Sequence, residues 1–226
     1  MPPTQARGTS GDRVYRALRR SIILGHHQPG ERLSVERLAT AFGTSITPVR
    51  EALQMLTQEG LVTSKPHAGF FVTQVTLKQL RDMLELCEIL EVAAVERAAT
   101  RITAEQLTEL ERVHAGYTGD DDESYVRYIT ENRRFHYLVA RASGNQELAN
   151  AVGRLHDRLL RFLVMVHTGD AIERIHMRLV EALRSHDVQL CRQTILDEIN
   201  ETRESTLEAV IQEGGASWYL GSQGRD

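Results

Sequence analysis

The chain has 226 residues, 41% hydrophobic and 26% charged, enough for one large domain or two small ones at roughly 100–200 residues each. That balance excludes a mainly disordered chain, and the purely apolar runs are too short for a membrane-spanning helix. The net charge of −4 is uneven: up to Val75 the balance is +4, which leaves −8 for the remainder.

A small basic module joined to a larger acidic one suggests a polyanion binder with a separate partner function. Two cysteines, Cys87 and Cys191, cannot build a disulfide framework, and the N-terminal residues lack the apolar core of a secretion signal. A cytoplasmic protein with reduced thiols is therefore expected.

Residues 1–11 read as a flexible tail, and 12–75 as a first domain. Val14, Ala17, Leu18, Ile22 and Ile23 follow helical spacing up to Gly25, and Pro29-Gly30 makes the next turn. Ser34 is placed to cap a short second helix that stops at Gly43. Ser45 is placed to cap a third, running to about Glu59. Val62-Thr63 and Phe70 to Thr73 then favour strands around a break at Ser64 to Gly69, a β-hairpin. Three helices and a hairpin wing describe a winged helix-turn-helix.

Beyond Val75 no strand is evident. Capping boxes at Thr76/Gln79 and Thr103/Gln106 open two helices. Further helices are expected at about 121–142, 146–166, 171–185 and 187–212, making 76–213 an all-α bundle of about six helices. Residues 214–226 read as a disordered tail. The fold class is mainly α: a winged helix-turn-helix joined to an all-helical effector and dimerisation domain.

In the third helix Val49, Ala52, Leu53 and Leu56 form one apolar stripe, which leaves Ile46, Thr47, Arg50 and Gln54 on the other face. A helix anchored in this way can enter a major groove. There Arg50 can donate to guanine or phosphate, Thr47 can hydrogen-bond, and Ile46 can touch a thymine methyl. Ser45 and Thr47 at the helix start suit phosphate, and Lys65, His67 and Gly69 on the wing suit backbone or minor groove. A half-exposed surface helix would show the same periodicity, so the ordered motifs must decide.

Those motifs are Ile22-Ile23-Leu24-Gly25, Pro29-Gly30-Glu31-Arg32-Leu33-Ser34, Leu38-Ala39, Ser45 to Leu53, and Glu59-Gly60-Leu61-Val62. In that order they resemble the DNA-binding domain of the GntR family of bacterial transcription regulators. The resemblance implies that Arg37, Thr47, Arg50 and the wing around His67-Ala68-Gly69 contact DNA. Ile46 stands where many members carry Arg, which removes one hydrogen-bonding contact.

The helical remainder has polar residues on apolar stripes. Tyr125, Tyr128/Ile129, Asn132, Phe135/His136 and Val139 form the stripe of one helix, and Ile172, Ile175/His176, Leu179 and Leu183 that of another. Cys191, Ile195, Glu198 and Thr202 form the stripe of the last. Polar groups at core positions are costly unless they satisfy each other, a metal or a ligand. His136, His176, Glu198 and the Asn132 amide oxygen could hold Zn²⁺ or a similar divalent ion and leave one position open. The remaining histidines, His26, His27, His114, His156, His167 and His186, are expected at the surface or in structural roles.

Leu90-Glu91 with Ala93-Ala94, Asn132 to Asn145, and His176 to Asp187 resemble the FCD class of effector domains within the same family. The resemblance implies a homodimer on a palindromic operator in double-stranded DNA, controlled by a small organic or sugar acid. It also implies a bundle metal site built from Asp, four residues before a His, and two later His. Here Asn132 replaces the Asp and Glu198 the last His. Cys87, Glu91, Tyr128 and Cys191 are expected to line the effector pocket, Cys87 standing where an Arg often faces it. Alternatives are a metal-dependent enzyme on the helical domain, for which no catalytic motif is present, and a regulator that needs no ligand.

Overall fold

Helix α1 (Ser10–Ile23) begins at a capping box: the Thr9 hydroxyl accepts from the Asp12 amide at 3.1 Å, and the Asp12 carboxylate accepts from the Thr9 amide at 2.8 Å. The computed structural model describes residues 9–113, 122–163 and 169–213. The segments expected as tails therefore fall, except for residues 9–11, outside the described residues, as do His114 and His167. The helix starts four residues before the apolar stripe at Val14, because a cap acts ahead of the first buried side chain.

The chain divides into two units, Met1–Gln74 and Val75–Asp226. In the first, Val14, Leu18, Ile22 and Ile23 of α1 are buried with Val49, Ala52, Leu53 and Leu56 of α3 (Ile46–Gln58). Tyr15 and Arg19 both bind the Glu59 carboxylate, Arg19 at 2.9 Å, which ties α1 to the end of α3. Between them α2 (Val35–Phe42) starts where the Ser34 hydroxyl accepts from the Arg37 amide and ends at Gly43, whose φ of +60° suits a residue without Cβ.

The wing has one strand more than the sequence suggests. The antiparallel hairpin of β2 (Val62–Lys65) and β3 (Gly69–Val72) is joined by β1 (Arg32–Leu33), in the order β1-β3-β2. Arg32 pairs with Phe71 and Leu33 with Phe70. Two residues are too short to show alternation in a sequence, and the strand is held by burying Leu33 on one side only.

The second unit is helical among its described residues: α4 (Leu77–Ala99), α5 (Ala104–Glu111), α6 (Asp122–Ala142), α7 (Gln146–Leu163), α8 (Gly169–Arg184) and α9 (Val188–Glu213). The expected capping boxes are formed at Thr76/Gln79 and Thr103/Gln106. Helix α4 packs against α6, α7, α8 and α9 and is the central element for the site below. One apolar cluster joins Val95, Ala98, Phe135, Leu179, Leu183 and Ile195; a second joins Leu80, Met83, Leu84, Leu155, Leu159 and Phe162. Between α8 and α9, His186 takes a φ of +56° and sets its Nδ1 2.7 Å from the Ala99 carbonyl oxygen. No helix among the described residues is long and apolar enough to cross a membrane.

Candidate functional site

The exposed face of α3 is the counterpart of its buried stripe. Val49, Ala52, Leu53 and Leu56 are fully buried, while Thr47, Arg50 and Gln54 are exposed and Ile46 is 44% exposed. Ser45 occupies the N-cap position with extended backbone, but its side chain makes no capping hydrogen bond. The expected cap is therefore one of position only. Arg37 is exposed on α2. On the wing, His67 takes a φ of +58° and Gly69 one of +101°, while Lys65 lies 4.8 Å from the centre of the Phe71 ring, a cation–π contact that restrains its ammonium group. Glu36 stands among these basic residues. Its own backbone amide and Ser34 hold its carboxyl below the usual range, with Arg50 and Arg32 adding smaller attractions.

The helical unit encloses a buried cluster of imidazoles and carboxylates. His136 on α6 stands between two acids: its Nδ1 lies 2.9 Å from Glu91 Oε2 of α4, and its Nε2 lies 3.2 Å from Glu198 Oε1 of α9. His176 on α8 brings its Nε2 to 3.0 Å from the same Glu198 oxygen. On the other side His156 of α7 sets its Nε2 2.5 Å from Glu91 Oε1, and Cys87 Sγ lies 3.2 Å from that oxygen. The His136 and His156 rings stack with centroids 4.4 Å apart, and His176 stacks on Phe135 at 3.9 Å. All of these polar side chains are buried.

Burial and charge oppose each other here, and charge prevails at three groups. Burial disfavours a charged His136, but Glu91 and Glu198 outweigh it and raise its pKa to about 10. Burial pushes the Glu198 carboxyl up, yet His176 and His136 pull it down to about 2. Glu91 is likewise driven well below the carboxylate range by His136 and His156 against burial. Burial wins at His156 and His176, whose pKa values fall, and at Cys87, whose thiol is pushed well up by burial and by Glu91. The cluster therefore holds one imidazolium between two carboxylates.

The donor atoms of His136, His176 and Glu198 lie within 4.8 Å of one another, so these side chains fit the requirements of a divalent cation. Two carboxylates beside three imidazoles also match its charge, provided the His136 proton leaves.

Comparison with known proteins places both units. The profile of "Bacterial regulatory proteins, gntR family" matches residues 10–72, and that of the "FCD domain" matches residues 82–201. An uncharacterized HTH-type transcriptional regulator of Bacillus subtilis (strain 168), YdhC, is 31% identical over 88% of this chain and 92% of its own. The chain belongs to the GntR family. Within the family, the HTH-type transcriptional repressor RspR of Escherichia coli (strain K12) is 26% identical over 91% of this chain and 92% of its own. The solved structure of E. coli McbR/YncC superposes with a TM-score of 0.67 and 26% identity, covering 91% of this chain and 99% of that one. This GntR/FCD protein is a DNA-binding transcriptional regulator; the family and its relatives are regulators and not enzymes.

In the FCD unit the structure brings together His136, His176, Glu198, Glu91 and Cys87. Asn132 is buried one turn before His136 on the same helix, and Tyr128 is buried one turn earlier still. Cys191 is fully buried in the apolar cluster with Val95, Leu179 and Ile195, packed as a small apolar side chain. Its place is set by packing, since its stripe is apolar for a full turn before Glu198 is reached. The side chains of Tyr125 and Ile172 lie outside those described. His156, expected at the surface or in a structural role, is a buried member of the cluster. Its signal was the same as that of His136: it follows Ala149 and Val152 on one apolar stripe of α7.

Proposed function

We propose that this GntR regulator is a repressor that binds a palindromic operator as a homodimer and releases it in response to a small organic or sugar acid received by the FCD unit. The observation that carries the reading is the convergence of His136, His176 and Glu198 donor atoms at the centre of a helical unit that the family couples to DNA binding. Ile46, Thr47 and Arg50 read the major groove; Arg37, Ser45, Lys65, His67 and Gly69 hold the backbone and minor groove.

His136, His176 and Glu198 hold a divalent cation, with Asn132 as a neutral oxygen donor. Such a cation would offer a positive open position to a carboxylate or water. Glu91, through His136 Nδ1, orients that imidazole, as carboxylates behind metal-bound histidines do. Cys87 supplies no guanidinium, so an acid's charge would be met by the cation and not by a side-chain clamp. The acid shifts repression only by its different affinity for the DNA-competent and DNA-incompetent arrangements.

A second reading rests on the same contacts. The cluster is already joined without a metal through the His136 proton, and a purely structural network would leave operator binding independent of any acid. Calorimetric titration with candidate acids, with and without chelator, separates the two. Acid binding that chelator removes supports the proposal; metal-free protein with unchanged stability and operator affinity refutes it.

A further inference from the structure

Three side chains of the cluster give no donor atom to the site proposed for His136, His176 and Glu198. Cys87 and Glu91 lie one turn apart on α4, and His156 meets them from α7. Sγ is 3.2 Å from Glu91 Oε1 and 3.8 Å from His156 Nε2, and these last two are 2.5 Å apart. The three atoms therefore lie on a circle of about 1.9 Å radius, and bonds of about 2.0–2.3 Å to such a triangle seat an ion just outside its plane. Tetrahedral ligation at such lengths sets donors about 3.3 Å apart, so the 2.5 Å pair of Glu91 Oε1 and His156 Nε2 has to open as an ion displaces the proton between them.

The triad is buried beside Leu80, Met83, Leu84, Leu155, Leu159 and Phe162, where a thiol, an imidazole and a carboxylate meet one another's needs through the single oxygen Glu91 Oε1. His156 enters with Nε2 alone, since its Nδ1 has no hydrogen-bond partner among the described residues. What positions the ring is therefore its stack on His136 and what Nε2 meets.

We propose that Cys87, Glu91 and His156 form a second cation site, one that takes a thiophilic divalent ion such as Zn²⁺, Co²⁺ or Cd²⁺ through one sulfur, one oxygen and one nitrogen. The sulfur donor selects these ions over Mg²⁺ and Ca²⁺. The site shares no donor atom with the His136, His176 and Glu198 set, and it stands or falls independently of that set. The two are linked through Glu91, which gives Oε1 to the new site and sets Oε2 beside His136 Nδ1.

The test is titration of the reduced, chelator-stripped full-length protein with Co²⁺ alone, followed by absorption and by equilibrium dialysis. A thiolate-to-cobalt charge-transfer band should grow with the ion. The band should vanish in Cys87→Ser and persist in Cys191→Ser and His176→Ala. Stoichiometry should fall from two ions per chain to one in both Cys87→Ser and His176→Ala. One ion per chain with the band leaves this site standing and removes the other.

Saturation without the band, or a band that survives Cys87→Ser, overturns the inference. If circular dichroism shows Cys87→Ser unfolded, His156→Gln is read instead: loss of the band supports the site, and an unchanged band refutes it.

Discussion

Replacing His136 by Ala removes the imidazolium that faces two buried carboxylates, Glu91 and Glu198. Breaking a buried pair by deleting one partner costs about 3–5 kcal/mol, because the remaining charge stays desolvated. Here two acids lose that partner, although each keeps one imidazole, His156 for Glu91 and His176 for Glu198. The upper part of the range is expected. For 150–250 residues each kcal/mol moves Tm by about 2–4 °C, so at about 4–5 kcal/mol chelator-treated His136→Ala should melt about 8–20 °C below the parent.

Loss of ring volume would also lower Tm, so a second substitution separates charge from packing. Glu198→Gln alone should destabilise, because it removes the acid that His136 and His176 bind. In the His136→Ala background the same change should raise Tm, since it now removes a buried charge left with the His176 imidazole as its partner and no imidazolium. The assay is thermal unfolding of the four proteins by circular dichroism in chelator. A Glu198→Gln effect of the same sign and size in both backgrounds would refute the charge argument.

The same network sets a pH dependence in metal-free protein. His136 is raised from 6.5 to about 10, so its contribution is complete below pH 6.5 and is lost as pH rises toward 10. Glu198 is lowered from 4.5 to about 2, so its contribution is present above pH 4.5 and is lost as pH falls toward 2. Urea midpoints should therefore decline on both sides of that window, and His136→Gln should flatten the alkaline arm. Arg50→Ala should weaken binding to an operator selected from random duplexes by about 5–150-fold and relax its base preference, measured by fluorescence anisotropy. Arg37→Ala should weaken binding to all sequences and reduce the slope of log affinity against log salt by about one. Leu53→Ala, at a fully buried position of α3, should cost the first unit about 2–5 kcal/mol in chemical denaturation.

The elements of the first unit were legible because each carries its own punctuation: a cap at Ser34, glycines at positions 43 and 60, and an apolar stripe on each helix. The strand at Arg32-Leu33 was not legible, because a two-residue pairing is decided by the tertiary partner Phe70-Phe71. In the second unit the stripes singled out His136, His176 and Glu198 as polar residues at core positions, and all three are buried. His156 obeys the same rule and is buried too, but α7 carries no motif that distinguishes it from a structural histidine. What periodicity could not reveal is that α4 and α7 bring Cys87, Glu91 and His156 within reach of one another. Meeting of residues from separate helices depends on helix order and packing, which one-dimensional spacing does not encode.

The uncommitted hydroxyl of Ser45 carries a cost in the unbound protein. A capping bond at that position would add about 1 kcal/mol to the helix that follows, and the fold forgoes it exactly where a polyanion must be gripped. Asp is as good a cap as Ser, so Ser45→Asp should make the free regulator harder to melt while its negative charge repels the duplex. Thermal resistance and grip on DNA would then move in opposite directions, as happens where a protein has been selected for its occupied state over its resting one.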